Sequence, residues 1–376
     1  MLKLCVVLTF DMSIEKWERS GVLERELALY GAMLDLGVQI TLLTYGDQND
    51  KNSPLLKDTR IDVIPIYSMV KRPRKKIFRI LQSFILPFYL LKYFQNFHII
   101  KSNQMFGAWV VIILARLVRA KSVVRCGFEK YSNVIETNPF FLKKFFYWVL
   151  SYISYKCADH VILTTHSMMS FVHKEFKIPL DGMVIIPNYV DIDRYSPGRV
   201  CKKNGKLVFV GRISYAKNIT LLLDSVKNSG YEIDMIGDGE DLSEMQKYAK
   251  KINVKANFIG RLTGNKISNI IPSYEIFIST SRYEGHPKAL IEAMSCGLPC
   301  ICTDVRGNND VINDNINGIL CKEDASIISS KISTLMLNNS LKKDIGRMAR
   351  KDIVEYYNLK NIVSSEVRLY YFLKSQ

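Results

Sequence analysis

Residues 276–303 read IFISTSRYEGHPKALIEAMSCGLPCICT. Ile276–Ser279 is a short apolar run typical of a buried strand, and Pro299–Thr303 is a second one. Between them, apolar residues at helical spacing predict a helix that begins at Pro287. Its predicted buried stripe is Ala289, Leu290, Ala293 and Met294. A strand–helix–strand unit of this length predicts parallel strands joined by a crossover helix, and therefore an α/β fold.

The same alternation continues outward from this unit along most of the chain. Near the amino terminus, the apolar run Leu2–Phe10, a helix opened by Gly21 and the run Val38–Leu43 predict another strand–helix–strand unit. Further strands are predicted at Asp62–Tyr67, Ile99–Ser102, Ser122–Cys126, His160–Leu163, Lys206–Gly211, Glu232–Gly237, Ala256–Gly260 and Gly318–Cys321. With 376 residues, 48% of them apolar, the chain is long enough for two such domains.

A turn-rich stretch divides the chain near its middle. It contains Pro197 and Gly198, and we assign residues 188–204 to an interdomain linker. The predicted domains are residues 1–187 and 205–357, both doubly wound and Rossmann-like, with a ligand cleft where the carboxyl ends of their strands face each other. Residues 358–376 are predicted to be a C-terminal helix and are a candidate for packing back on the first domain.

Two glutamates eight residues apart give residues 276–303 their chemistry. Glu284 lies in the loop after the strand, and Glu292 lies two turns into the helix. The N–H groups of the first helical turn, around Lys288, Ala289 and Leu290, are free to bind an anion. The segment therefore combines two carboxylates with an anion-binding helix start.

This segment resembles the E-x7-E signature of family 4 glycosyltransferases, which are retaining enzymes of the GT-B fold. Other segments resemble further motifs of that family. Gly211-Arg212 with Lys217 resembles its G-R-x4-K motif, and Ile236–Gly239 resembles its I-G-x-G turn. Phe258–Gly260 resembles the strand before the nucleobase, and Ile186–Asn188 with Asp191 resembles the hinge sequence. About 110 residues, from Val208 to Gly318, are similar, whereas the first half resembles the family mainly through Gly21–Leu43.

The resemblance implies a site for a nucleoside-diphosphate sugar. Arg212 and Lys217 would hold the donor diphosphate and stabilise the leaving nucleoside diphosphate, which makes them, with Glu284, the expected catalytic residues. Glu284 would contact hydroxyls of the transferred sugar, and Glu292 those of the ribose. The implied donor-binding set is Gly21, Gly211, Arg212, Lys217, Glu284, Lys288, Ala289, Leu290 and Glu292.

One position departs from the family pattern. Many relatives carry a histidine at the end of the first-domain strand that here reads Val123-Val124-Arg125-Cys126-Gly127. Either the Arg125 side chain or the Gly127 backbone would then approach the donor sugar.

Several other site classes are disfavoured. The eight cysteines contain no C-x-x-C pair and no cluster with histidine at zinc spacing, so we expect reduced packing cysteines. Asp191-Ile-Asp193 resembles the D-x-D metal motif of another transferase fold, but it lies in the expected linker, which disfavours a metal site there. Gly237-x-Gly239 is too incomplete for a dinucleotide fingerprint, which disfavours a dehydrogenase. No metal or other cofactor is expected.

The positive charge is concentrated in one part of the chain. The net charge is +16, but residues 51–150 hold 18 Lys and Arg against 4 Asp and Glu, a net of +14, together with 18 of the 41 aromatic residues. Basic residues beside aromatic and aliphatic ones, as at 71–89 and 140–148, suit an anionic membrane surface. The alternative is helices that only pack on their sheet with solvated lysines. A nucleic-acid partner is not expected, because no binding motif accompanies the charge.

The first reading of function is a retaining glycosyltransferase that acts on a glycan or lipid-linked acceptor in bacterial cell-surface polysaccharide synthesis. UDP is the preferred donor base, and GDP is the alternative. The amino-terminal apolar run is too short for a signal peptide, and no run is long enough to span a bilayer, so a cytoplasmic enzyme on the inner face of the plasma membrane is expected. The alternatives are a nucleotide-sugar epimerase of the same fold and a non-catalytic nucleotide-sugar-binding relative.

Overall fold

A computed structural model describes residues 1–137, 140–198 and 205–376. Residues 199–204 of the expected linker, which include Cys201, lie outside the described residues. The strands are β1 (Leu2–Val7), β2 (Val38–Thr44), β3 (Ile61–Pro65), β4 (Ile99–Ser102), β5 (Lys121–Cys126), β6 (His160–Leu163), β7 (Met183–Ile185), β8 (Lys206–Val210), β9 (Glu232–Ile236), β10 (Ala256–Gly260), β11 (Ile276–Ser279), β12 (Cys300–Thr303) and β13 (Ile319–Cys321). The helices are α1 (Ile14–Arg19), α2 (Val22–Asp35), α3 (Lys76–Leu90), α4 (Ala108–Val118), α5 (Lys130–Thr137), α6 (Phe141–Cys157), α7 (His166–Phe176), α8 (Ile219–Ser229), α9 (Leu242–Lys251), α10 (Gly264–Ile270), α11 (Lys288–Ser295), α12 (Ala325–Leu337), α13 (Asn339–Tyr356) and α14 (Leu359–Ser375).

The chain forms two compact units, one of Met1–Pro187 with Ile362–Gln376 and one of Asn188–Asn361. The first unit contains a seven-stranded sheet in the order β3-β2-β1-β4-β5-β6-β7, and the recorded pairings are all parallel. In the central strand β1, Leu4 pairs with Ile40 on one side and with Ile99 on the other. Five of its six residues are buried, as expected for a parallel strand covered on both faces.

The second unit contains a six-stranded sheet in the order β10-β9-β8-β11-β12-β13, again with parallel pairings. The chain moves outward from β8 in one direction and from β11 in the other. The order of the strands therefore reverses between β8 and β11, where open α/β sheets bind ligands at the carboxyl ends of the strands. The predicted α/β fold with two doubly wound sheets is confirmed.

The apolar run at the amino terminus is only partly a strand. Pairing in β1 ends at Val7 rather than at Phe10, and the next residues form a turn in which the Met12 N–H donates to Thr9 O at 2.9 Å. Phe10 stays buried because its ring packs against aromatic neighbours, with Tyr45 at 5.2 Å and Trp109 at 5.9 Å between centroids. Continuous hydrophobicity here marks burial that extends beyond the strand.

The described part of the expected linker, residues 188–198, packs within the second unit. Val190 forms a parallel bridge with Asn358. The Arg350 guanidinium donates to the carbonyl oxygens of Tyr195 and Ile192 at 2.8 and 2.9 Å. This stretch is therefore held by hydrogen bonds despite its turn-rich composition. None of the described helices combines the length and the apolar character that crossing a membrane requires.

Candidate active site

The loop after β8 is fixed by its close approach to the loop after β9. The Gly211 N–H donates to Ile236 O at 2.9 Å. Gly237 has a φ of +149°, and a Cβ atom there would lie 1.8 Å from the Gly211 carbonyl oxygen. Only glycine fits at this contact. The I-G-x-G turn therefore positions the backbone of the G-R-x4-K segment, which carries Arg212 and Lys217 at the carboxyl edge of the sheet.

A pocket of about 160 Å³ opens at this edge. Its lining includes Gly211, Arg212, Gly237, Asp238 and Arg261. Gly211 and Arg212 are predicted from the sequence, whereas Arg261, which directly follows β10, is not. The pocket carries two guanidinium groups and one carboxylate at the carboxyl ends of β8, β9 and β10, which suits a polar, anionic ligand.

Lys217 and Glu284 form an ion pair between Lys217 Nζ and Glu284 Oε1. The same carboxylate oxygen accepts a hydrogen bond from Ser281 Oγ at 2.7 Å. Both charged side chains are partly exposed, at 23% for Lys217 and 11% for Glu284, so they remain accessible to a ligand. Two of the three expected catalytic residues are thus in direct contact, although they are 67 residues apart in sequence.

Thr280 and Arg282 join the loop after β11 to the loop after β8. Thr280 Oγ1 donates to the carbonyl oxygens of Lys217 and Asn218 at 3.1 and 3.0 Å. The Arg282 N–H donates to Ala216 O at 2.9 Å, and the Arg282 guanidinium donates to Asn218 Oδ1 at 2.9 Å. These residues were not predicted from the sequence, although their position shortly after the predicted strand Ile276–Ser279 was a usable signal.

Helix α11 carries four of the expected donor-binding residues, Lys288, Ala289, Leu290 and Glu292. It begins at Lys288, so Pro287 occupies the N-cap position and not the first helical position. Its buried residues include Leu290, Ile291, Ala293 and Met294, whereas Ala289, expected in the buried stripe, is half-buried. Glu292 is also half-buried, on the same helix two turns from the Glu284 loop. The first-turn N–H groups at 288–290 thus start next to the loop that carries Glu284.

Gly307, which lies in the connection between β12 and β13, packs closely against the Glu284 loop. Its φ is +92°, and a Cβ atom there would lie 2.7 Å from Gly285 O and 2.8 Å from Glu284 Cβ. His286 is buried behind the same loop, where its carbonyl oxygen accepts a hydrogen bond from Asn188 Nδ2 at 2.8 Å. Its ring lies 5.2 Å from that of Tyr357.

The remaining predicted positions lie in the first unit. Gly21 precedes α2, and its φ of +69° is a backbone conformation that favours glycine. Space is not the reason for glycine here, because a Cβ atom would meet nothing within 4 Å. Arg125 is buried on β5, where its charge helps to lower the pKa of Glu366. The Gly127 N–H donates to Gln104 Oε1 at 3.0 Å. The choice between Arg125 and Gly127 as the donor-facing group stays a prediction.

Within the described ranges, no group of three or more His, Cys, Asp or Glu residues is placed to hold a metal ion. The seven cysteines of those ranges are free thiols, and six of them are buried. Burial raises the pKa of Cys126 to about 12, so its thiol stays protonated.

Two family models match the chain in succession. The model "Glycosyltransferase Family 4" matches residues 23–194, and the model "Glycosyl transferases group 1" matches residues 196–352. The second match contains the ion pair and the pocket described above.

Curated relatives are similar over much of the chain. The amylovoran biosynthesis glycosyltransferase AmsD of Erwinia amylovora is 26% identical over 286 residues, which cover 71% of this chain and 78% of that protein. The UDP-Gal:α-D-GlcNAc-diphosphoundecaprenol α-1,3-galactosyltransferase of Escherichia coli is 25% identical over 254 residues. That alignment covers 60% of this chain and 64% of the relative, slightly less than two thirds of its length.

Solved structures share the fold. Sucrose-phosphate synthase from Thermosynechococcus elongatus superimposes with a TM-score of 0.84 at 16% identity over 100% of both chains. Anabaena HepE in complex with UDP and glucose superimposes with a TM-score of 0.79 at 16% identity, over 98% of this chain and 99% of that one. From its two successive family matches, the chain belongs to glycosyltransferase family 4 and is a hexosyltransferase-type glycosyltransferase with the GT-B fold.

Proposed function

We propose that the protein is a retaining glycosyltransferase that transfers a sugar from a nucleoside-diphosphate sugar to a hydroxyl of a glycan or lipid-linked acceptor. The contact between Lys217 and Glu284 carries this proposal. It brings a cation suited to a diphosphate next to a carboxylate suited to sugar hydroxyls, at the carboxyl edge of the second sheet. The bond broken in transfer joins these two parts of the donor, so the pair would lie at the reacting bond.

The residues around this pair suit stabilisation of a leaving group. When the bond between the anomeric carbon and the diphosphate breaks, negative charge develops on the diphosphate oxygen. Lys217 and Arg212 would meet that charge, and the first-turn N–H groups of α11 would add donors of fixed direction. We propose that these groups replace a metal ion, so that no metal or other cofactor is required.

The pocket beside Arg212 is proposed to receive the nucleotide end of the donor, with Glu292 on the ribose. UDP remains the preferred nucleotide. Two findings support this preference: the HepE structure is a complex with UDP and glucose, and the name of the E. coli relative specifies UDP-galactose.

The donor site is tested by thermal unfolding with nucleoside diphosphates. We expect UDP at about a hundredfold excess over its Kd to raise the unfolding temperature by about 5 °C or more. The same shift is expected in EDTA, and Glu292→Ala is expected to lose it. A panel of UDP- and GDP-sugars then identifies the donor. A shift with GDP alone would refute the base preference, and no shift with any nucleotide would refute the site.

The acceptor proposal places the enzyme in bacterial cell-surface polysaccharide synthesis. The relatives support it through their names, which include amylovoran biosynthesis and a galactosyltransferase that acts on a diphosphoundecaprenol-linked sugar. A lipid-linked acceptor fits a cytoplasmic enzyme attached to the inner face of the plasma membrane, as the charge of residues 51–150 predicts. Transfer of labelled sugar to isolated lipid-linked oligosaccharides tests this assignment.

Ser281 is expected to contribute to transfer through its hydrogen bond to Glu284. Ser281→Ala removes that bond, and a hydrogen bond to a charged group contributes about 1.5–3 kcal/mol. We expect kcat to fall about tenfold or more, with a smaller change in the KM of the donor, because the contacts to diphosphate and ribose remain. Ser225→Ala is the matched control: Ser225 is a buried serine of the same unit that donates to Leu221 O within α8. Equal activity of the two variants would contradict the role.

A further inference from the structure

Helix α3 is apolar on its outer face as well as on its inner one. Its inner stripe includes Leu86 and Leu90, and Ser83 Oγ on the same stripe accepts a hydrogen bond from Trp109 Nε1 at 2.8 Å. The outer stripe leaves more than half of each side chain exposed at Ile77, Phe78, Leu81, Ile85 and Phe88. A helix that is apolar all round is typical of complete burial or of a membrane environment.

The first half of α6 has the same character. Every residue from Phe141 to Leu150 is exposed or half-buried, and the buried residues of this helix lie in its second half. Phe141 and Leu142 are 74% and 80% exposed. Phe141 stacks on Phe145 one turn later, with ring centroids 6.2 Å apart, so the exposed rings form one continuous apolar surface.

Both α3 and α6 pack against α4. Lysines lie at or near the starts of α3, α5 and α6. Lys76 is the first residue of α3, Lys130 is the first residue of α5, and Lys143 lies in the first turn of α6; all three are exposed. The Lys130 ammonium lies over the Tyr147 ring of α6, 5.7 Å from its centroid, which places Lys130 beside the first half of α6. Partial burial of this ammonium group lowers the pKa of Lys130, and the positive charges of Lys76 and Lys143 lower it further. The sequences of α3 and α6 contain no Asp or Glu, and that of α5 contains one, Glu136.

We propose that the exposed apolar stripe of α3, the first half of α6 and these three lysines form one surface that docks on an anionic lipid bilayer. The aromatic and aliphatic side chains would enter the interfacial layer, and the three lysines would bind lipid phosphates at its edge. The inference rests on the proposed function in one respect, since docking would bring the enzyme to a lipid-linked acceptor.

Charge and apolarity together favour a bilayer over other partners. A nucleic-acid surface would match the lysines, but it would leave the exposed Ile77, Leu81 and Leu142 side chains in water. A second copy of this chain would bring the same lysines against one another. An anionic bilayer offers phosphates for the lysines and, directly beneath them, hydrocarbon for the apolar stripe.

The test is co-sedimentation of the full chain with vesicles of phosphatidylglycerol and phosphatidylcholine, compared with phosphatidylcholine alone. The wild-type chain is expected to bind the anionic vesicles at low salt. A lysine near such a surface contributes about 1 kcal/mol, so the triple variant Lys76→Glu, Lys130→Glu, Lys143→Glu is expected to bind about 100-fold more weakly or worse. Phe141→Ser with Leu142→Ser is expected to weaken binding independently of salt.

The matched control changes the same charge elsewhere. Lys227, Lys247 and Lys251 are exposed on α8 and α9 or directly at their ends in the second unit, and their replacement by Glu alters net charge equally. We expect this control to retain most of the binding. Equal loss in the two triple variants would overturn the surface in favour of a net-charge effect.

Two further outcomes would also overturn the surface. The first is failure of the wild-type chain to bind anionic vesicles. The second is a dimer in light scattering that Phe141→Ser with Leu142→Ser dissociates. The UDP-induced thermal shift, measured on the same variants, reports the donor site in the second unit. If the wild-type chain fails to bind anionic vesicles but keeps its UDP-induced shift, docking alone is refuted. Variants that lose vesicle binding and keep the shift support the docking surface.

Discussion

Replacing Lys217 by alanine is expected to lower kcat/KM for transfer by about 10²–10³-fold, the loss typical when one fixed donor to a developing negative charge is removed. Lys217 is expected to act mainly in the transition state, because the leaving diphosphate gains charge as its bond to the sugar breaks. The loss should therefore appear mostly in kcat. The measurement is steady-state transfer or donor hydrolysis with the nucleotide sugar identified by thermal shift.

The local structure predicts that this variant will fold. The Lys217 side chain is partly exposed, and the loop that carries it is held through backbone atoms, including the carbonyl that accepts from Thr280 Oγ1. Glu284 keeps its hydrogen bond from Ser281 when the lysine is removed. The unfolding temperature should therefore remain close to that of the wild-type chain, which separates a catalytic loss from a structural one.

Two comparisons make the result specific. Lys227→Ala removes an exposed lysine from the end of α8 in the same unit and should leave transfer unchanged. Lys217→Arg keeps the charge but replaces a compact ammonium by a planar fork, so intermediate activity is expected. Near-normal transfer by Lys217→Ala would refute the assigned diphosphate site.

Hydrophobic periodicity was enough to predict the architecture. β4, β6 and β11 have the predicted bounds, because a buried parallel strand is a short apolar run that ends at polar or turn residues. The edge strand β10 also has its predicted bounds, although none of its residues is buried. Strand prediction from apolar runs fails where a residue is buried without pairing in a sheet, as at Phe10, which is buried in a turn. Residues 188–198 show a second limit, because their turn-rich composition gave no sign of the hydrogen bonds from Arg350.

The candidate site was predicted through its charged residues and not through the groups that hold them. Glu284 and Lys217 were found because charged residues at fixed spacing form a recognisable motif. Thr280 and Ser281 were missed because a hydroxyl that bonds a distant carbonyl or carboxylate has no spacing of its own in the sequence. Only the sheet order, which places β8 beside β11, brings these two loops together.

Glu366→Ala is expected to destabilise the first unit by about 3–5 kcal/mol, because it would leave a buried ammonium group without its counter-charge. Glu366 on α14 pairs with Lys101 on β4, and the two side chains are only 1% and 2% exposed. The Tyr370 hydroxyl also donates to the Glu366 carboxylate. The pair joins residues 265 positions apart and fixes the C-terminal helix to a central strand of the first sheet.

The same pair predicts a loss of stability in acid. Burial raises the pKa of Glu366, but the charges of Lys101 and Arg125 outweigh it and leave that pKa below its ordinary value of 4.5. A carboxylate whose pKa is lower in the folded state stabilises the fold above its unfolded pKa. That contribution is lost as the pH falls below about 4.5. Wild-type stability should therefore decrease over this range, and that of Glu366→Gln should decrease less.

Tryptophan fluorescence during urea unfolding measures this effect in the correct unit, because Trp17, Trp109 and Trp148 are the three tryptophans of the chain and all lie in the first unit. Lys101→Met with Glu366→Gln removes both charges and keeps an acceptor for Tyr370, so it should be more stable than either single variant. Asp35→Ala, which breaks the exposed pair with Arg60, should cost less than about 1 kcal/mol. If Glu366→Ala unfolded at the same urea concentration as Asp35→Ala, the buried pair would not be what holds α14 to the sheet.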